Sequence, residues 1–250
     1  MQPHPPFLNA GNAGPFTLDG TRSYRIGKRE AAIIDPGPDV ESHVRALVAF
    51  MDDAHDVRIV LTHRHGDHAG AAPALAKALS AEVWGPAEVE GVDHVLEDGS
   101  PVQTDAGALV AIHTPGHTEG HLCFHWPDRN ALFAGDLLLG RGATTWVAEY
   151  PGCVTDYMRS LDRLRTLALE VVYPAHGPAL ENVARALDRF QAHRAERIEQ
   201  VRGALQAHPD ASVEELLDEV YGDTIPSGLE GAAARSLSAL VDHVREGGLD

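Results

Sequence analysis

Residues 61–70 read LTHRHGDHAG and place His63, His65, Asp67 and His68 within six consecutive positions. Immediately before them, residues 58–61 (RIVL) form an apolar run that predicts a buried strand. Immediately after them, residues 71–79 (AAPALAKAL) predict a helix that tolerates Pro73 only in its first turn. Packing alone rarely calls for imidazoles this dense. Histidine and aspartate are strong ligands for a divalent cation, and a short loop at a strand end can aim several of them at one point.

The same pattern recurs downstream. Residues 108–112 (ALVAI) and 121–126 (HLCFHW) predict two strands around the loop TPGHTEG, which carries His117. Residues 131–134 (ALFA) predict another strand, ending at Gly135 and Asp136, and residues 170–173 (EVVY) one that runs into PAHGP with His176. Small residues flank each candidate ligand, and glycine permits the tight turns that bring distant side chains together. A helix is predicted over residues 154–167, with Thr155 as its cap, and a long helical stretch over 181–206.

A single catalytic zinc takes three protein ligands and a water. Five imidazoles and two carboxylates exceed that and suit two divalent ions that share one carboxylate. Two such ions hold a hydroxide between them, bring its pKa towards neutrality and polarise the bond it attacks. The ions outweigh the aspartates, so the site carries a small positive charge that draws an anionic or electron-rich group. A lone histidine is more often a satisfied surface or core residue, but the joint pattern is not explained that way. His4, His43, His55, His94, His208 and His243 lack this setting and are expected in solvent; His113 and His125 alternate within strands and are expected to be structural. His121 either orients a ligand from behind or simply packs.

The 250 residues suffice for one large domain or a main domain with an appendage, and 44% hydrophobic content provides a core. The net charge of −17 argues against a long nucleic-acid backbone held on a basic surface. No apolar run approaches the roughly 20 residues of a membrane-spanning helix, so no membrane association is expected. The start, MQPHPPFLNAGNAGPF, shows no basic segment followed by an apolar one. Cys123 and Cys153 form neither a framework nor a CxxC pair, so a reducing cytoplasm is expected. From residue 207 the texture changes: AHPDAS reads as a linker, Ser212 and Glu215 form a capping box opening VEELLDEVY, and a turn-rich GDTIPSG leads to a second helix closed by glycines. The expected organisation is therefore a domain over residues 1–206 and a small module over 207–250, the latter a candidate homodimer contact.

THRHGDHAG resembles the signature of the metallo-β-lactamase superfamily, and TPGHTEGH, LFAGD and YPAHGP resemble its later motifs in the right order. The resemblance implies an α/β fold, a four-layer αββα sandwich with the metals at one edge of the sheets. It implies His63, His65 and His117 on one ion, and Asp67, His68 and His176 on the other, with Asp136 bridging. It also implies Asp67 as a catalytic carboxylate and Asp35, in IIDPGP, as a residue behind the ligands. NAGPFTLDGTRSYRIG, IIDPGP, DYMRSLDRL and AHRAERIEQ are similar to the β-lactamase-like protein 2 group, which implies a winged-helix-like module over residues 207–250.

The chain is accordingly expected to be a metal-dependent hydrolase. Cys123 and Cys153 sit away from the position of Asp136, which disfavours β-lactam hydrolysis, and residues 207–250 are too short for the flavodoxin-like domain of di-iron oxidoreductases. Two substrates stand: an acyl thioester or related ester, as in glyoxalase II-like enzymes, and, as the alternative, single-stranded RNA. Arg194 and Arg197 are candidate phosphate or substrate contacts, set against a solvated helix face paired with Glu196 and Glu199. With only nitrogen and oxygen ligands, zinc is the expected metal, with manganese and iron as alternatives.

Overall fold

The computed structural model describes residues 4–222, 225 and 228–247. The chain divides into two compact units. The first comprises Met1–Thr114, Gly120–Gly142 and Ala168–Val183, and the second Pro115–Glu119, Ala143–Leu167 and Ala184–Asp250.

In the first unit, two β-sheets are built from short, β-branched and aromatic runs. Strands β1 (Phe7–Asn9), β2 (Arg22–Ile26), β3 (Glu30–Ile34), β4 (Asp56–Val60), β5 (Glu82–Gly85) and β6 (His94–Val95) form one sheet in that order. Strands β7 (Pro101–Val102), β8 (Leu109–His113), β9 (Leu122–Trp126), β10 (Ala131–Gly135) and β11 (Val171–Pro174) form the other. The predicted strands lie within a residue or two of these bounds.

Alternation assigns each strand two faces. Ala32 and Ile34 of β3 join Leu122, Phe124 and Trp126 of β9 and Phe133 of β10 in a core between the two sheets. Ala31 and Ile33 point the other way, into a second cluster with Leu47 of helix α1 (Glu41–Phe50) and Leu75 of helix α3 (Ala72–Leu79), which follows the one-turn helix α2 (Gly66–Ala69) of the ligand loop. Pro73 sits in the first turn of α3, where its missing N–H costs nothing.

Two parallel pairs place the ligand loops. β3 and β4 run parallel with Ile34 opposite Val60, so Asp35 and the 61–70 loop leave from the same edge. β10 and β11 are also parallel, with Gly135 opposite Pro174, so Asp136 and His176 leave together. Parallel neighbours gather their C-terminal loops at one edge, as antiparallel neighbours do not.

The second unit is helical. It contains α4 (Cys153–Arg165), α5 from Ala184 onwards (Val183–Ala207), α6 (Val213–Tyr221) and α7 (Glu230–Arg245). Gly152 precedes α4 as its N-cap without any side-chain cap bond. Thr155 is not a cap: its hydroxyl is 2.9 Å from His243 Nδ1 and ties α4 to α7. The capping box of α6 is present, with Ser212 Oγ accepting from Glu215 N and Glu215 Oε2 accepting from Ser212 N. Among the described residues, 207–247 hold helices and no strands, so no wing is seen; GDTIPSG and the closing glycines fall partly outside the described residues. Among the described residues no helix is long and apolar enough to cross a membrane.

Candidate metal centre

Asp35 lies at the base of the site. It is a non-glycine residue in the left-handed region (φ +50°) and only 1% exposed, a conformation costing on the order of 1 kcal/mol or more. Its carboxylate is what that backbone positions. Oδ1 accepts from the Thr62 amide at 2.8 Å, and Oδ2 accepts from the Thr62 hydroxyl at 2.8 Å. Oδ2 also lies 2.9 Å from His68 Nδ1, so His68 donates there and turns Nε2 inward. Because Thr62 Oγ1 donates to Asp35, it accepts from His63 Nδ1, 2.9 Å away. One carboxylate and one hydroxyl thus fix the tautomers of two histidines.

The inward nitrogens converge with two carboxylates. His63, His68 and Asp136 each offer a ligand atom within 4.8 Å of the others, as do Asp67, His68 and His176. Asp136 Oδ1 is 3.4 Å from His68 Nε2 and 3.2 Å from His176 Nε2. Asp67 Oδ2 is 3.3 Å from His176 Nε2 and 3.6 Å from His68 Nε2. His65 Nδ1 faces His63 Nε2 at 3.0 Å. His63, His68 and His176 are fully buried, whereas the Asp67 side chain is 31% exposed and forms the open side.

A divalent cation fits this set. His68 Nε2 and His176 Nε2 are buried and make no hydrogen bond, although each faces carboxylate oxygens. Buried polar atoms are seldom left so, unless an ion is meant to take them. In the ion-free chain the consequence is electrostatic. Burial disfavours the charged form of His176, but Asp136 and Asp67 outweigh it and push its pKa up to about 9. Burial likewise opposes charging of His68, and Asp136 and Asp35 hold it well above its usual value. Burial disfavours ionised Asp136 too, and His176 and His68 more than offset this, holding its carboxyl well below the usual range.

A pH dependence follows. A cation needs neutral imidazole nitrogens, so binding must displace the His176 proton. Apparent ion affinity should rise about tenfold per pH unit from pH 6.5 towards pH 9, through loss of at least this one proton. Competition with a chromophoric chelator across that range measures it, and a flat profile would contradict the assignment of these nitrogens.

Other sequence candidates are placed as follows. His121 is buried; its Nε2 accepts from the Asp136 amide at 3.2 Å and its Nδ1 lies 3.0 Å from Thr114 Oγ1, so it holds Asp136 from behind. Gly135, at φ +49°, leaves space for it: a Cβ there would meet His121 Nε2 at 2.7 Å. His117 belongs to the second unit, is 3% exposed and has Nδ1 2.8 Å from the Trp146 carbonyl. Arg194 is 4% exposed, which overturns the solvated helix face; its Nη2 donates to the Thr145 carbonyl at 3.1 Å, and its guanidinium lies over Tyr157. Arg197 donates to the Val220 carbonyl and Gln200 and covers Tyr221. His43 and His243, expected in solvent, are buried; His43 Nε2 bonds the Pro36 carbonyl beside Asp35.

Sequence reasoning passed over Thr62. Its signal was a polar residue between an apolar strand and the first histidine. Replacing Thr62 with valine keeps shape but removes both the donor to Asp35 and the acceptor for His63. Loss of such a supporting partner typically costs 10–100-fold in metal affinity or activity, so Thr62→Val should fall by about that much. A chelator competition assay measures the change, and an unchanged affinity would show that Thr62 does not orient His63.

A family model for the metallo-β-lactamase superfamily matches residues 17–99 and 85–176. The chain belongs to the metallo-β-lactamase superfamily. A β-lactamase-like protein 2 homolog from Caenorhabditis elegans is 32% identical over 225 residues, covering 85% of this chain and 75% of the relative. An atrochrysone carboxyl ACP thioesterase from Aspergillus chevalieri is 32% identical over 238 residues, covering 90% of this chain and 75% of the relative. Among solved structures, a β-lactamase domain protein from Burkholderia ambifaria superposes with a TM-score of 0.82 at 21% identity, covering 97% of this chain and 86% of that one. The chain is a hydrolase of this superfamily, with histidine and aspartate clusters compatible with a divalent metal site.

Proposed function

We propose that this superfamily hydrolase cleaves an acyl thioester or a related ester, in the manner of glyoxalase II-like enzymes. The observation that carries the reading is the state of the two arginines that a phosphodiester substrate would want. Arg194 is buried on the Thr145 carbonyl, and Arg197 is spent on Val220, Gln200 and Tyr221. With those cations committed internally and a net charge of −17, an RNA backbone finds little to hold it. The similarity to a relative named as an ACP thioesterase supports the same direction.

In this reading His63, His65 and His117 would hold one ion, and Asp67, His68 and His176 the other, with Asp136 available to both. We take zinc as the metal, since nitrogen and oxygen donors predominate. When bound, such ions supply an activated water at neutral pH and a Lewis acid for the carbonyl oxygen. The chain's own residues do the rest. Asp35 and Thr62 lock His63 and His68, His121 holds the Asp136 backbone, and Asp67, on the open side, is the carboxylate placed to orient the attacking water. Cys123 and Cys153 are buried thiols outside any disulfide, which accords with a reducing, cytoplasmic setting.

The test offers the zinc-loaded protein an S-acyl thioester, with thiol release followed optically, and in parallel a labelled single-stranded RNA. Thiol release that disappears in Asp67→Ala, with the RNA intact, is expected. RNA cleavage lost in Asp67→Ala, with the thioester untouched, would overturn the reading in favour of phosphodiester hydrolysis.

A further inference from the structure

Nothing in the reaction so far accounts for why the second unit buries a guanidinium. Arg194 leaves Nε without a hydrogen bond, and a buried cation with an unsatisfied donor is a poor source of stability. What it touches is a loop. Nη2 donates to the Thr145 carbonyl at 3.1 Å and lies 3.5 Å from the Thr144 hydroxyl, while the planar group rests 5.3 Å from the Tyr157 ring centroid.

The next residue in that loop, Trp146, presents its carbonyl 2.8 Å from His117 Nδ1. A carbonyl only accepts, so Nδ1 carries the proton and Nε2 keeps its lone pair. The Trp146 indole is in turn covered by the exposed Arg235 of α7, whose guanidinium carbon is 5.0 Å from the ring centroid. The turn bearing His117 is seated on α4 from the other side. Ser160 Oγ donates to the Pro115 carbonyl at 2.8 Å, and Gly116 (φ +136°) approaches so closely that a Cβ would meet Tyr157 Cα at 2.6 Å.

We propose that Arg194 and Arg235 are positioning residues for His117. Arg194 holds the backbone of residues 144–145 from inside the unit, Arg235 holds the Trp146 ring from α7, and together they fix the carbonyl that sets the His117 tautomer. The inference gives the C-terminal helix a part in the metal centre. It rests on the assignment of His117 as an ion ligand, made above.

Three readouts test it on the full chain: zinc affinity by chelator competition, the His117 tautomer by two-bond 1H–15N correlation in the zinc-free protein, and thermal unfolding. Arg235→Gln is the main variant, because the residue is exposed and the fold tolerates the change; Arg194→Lys keeps the charge but not the planar fork. Arg197→Gln, which alters a neighbouring cation with other partners, is the control. Arg235→Gln and Arg194→Lys should each weaken zinc binding about 10–100-fold and leave His117 as a mixture of tautomers, with Arg197→Gln at the wild-type value. Native affinity and a single His117 tautomer in a stably folded Arg235→Gln protein would overturn the proposal, as would a His117→Ala protein with unchanged zinc stoichiometry. None of the three readouts uses a substrate, so a failure of the thioesterase reading leaves the outcome distinguishable.

Discussion

Replacing Asp136 with alanine is expected to lower turnover by more than about 100-fold, beyond the range seen for residues that only support a ligand, and to lower bound metal with it. The reason is geometric. Oδ1 of Asp136 is the oxygen that faces both His68 Nε2, at 3.4 Å, and His176 Nε2, at 3.2 Å. Among the described residues no other carboxylate approaches both so closely; Asp67 comes within 3.6 and 3.3 Å from the exposed side. Alanine deletes that shared oxygen, whereas Asp136→Asn retains the shape and one oxygen without the charge and should fall in between. Metal content by mass spectrometry and turnover on the same preparations measure both effects. An alanine variant with native metal content and full activity would remove Asp136 from the shared position.

The largest stability effect is expected at Phe133. The ring is 1% exposed and sits between the sheets, with centroids 5.2 Å from Tyr24, 5.3 Å from Tyr173 and 6.3 Å from Trp126. Phe133→Ala leaves a cavity at that junction and should cost about 3–5 kcal/mol, the usual range for an aromatic truncated in a core. For a chain of this size that corresponds to a drop in Tm on the order of 10 °C. Differential scanning calorimetry of the metal-loaded and stripped forms measures it. Phe133 also anchors β10, which leads into Asp136, so the stripped variant should regain zinc more weakly than wild type. A loss below 1 kcal/mol would mean that the cluster repacks, and that the sheets are less tightly joined than the ring contacts indicate.

The sequence by itself determined the candidate histidine and aspartate ligands and five of the eleven strands described, β4 and β8 to β11. The alternation of Leu122, Phe124 and Trp126 is enough to orient β9, because side chains on a strand change face with every residue whatever surrounds them. His63, His65, Asp67 and His68 were legible for a similar reason: their chemistry is rare, and a short loop keeps neighbours in sequence near in space. The capping box at Ser212 and Glu215 is equally local.

Asp35 and His121 were expected near those ligands, but only the tertiary structure decided which atoms they hold, and it alone brought in Thr62. Thr62 and Asp35 are 27 positions apart, and His121 reaches the Asp136 amide across 15. A hydrogen bond between such pairs exists only once paired strands have placed their ends side by side, parallel β3 and β4 for the first and antiparallel β9 and β10 for the second, and no periodicity announces it. Arg194 shows the same limit in the opposite direction. On a helix rich in charge, its sequence neighbours suggest a solvated face, yet its guanidinium is enclosed by Thr145 and Tyr157, roughly forty to fifty positions away. Burial is a property of what the rest of the chain brings to a residue. The candidate ligands could therefore be read from their chemistry alone, while Thr62, and the contacts through which Asp35 and His121 act, became visible only through long-range contacts.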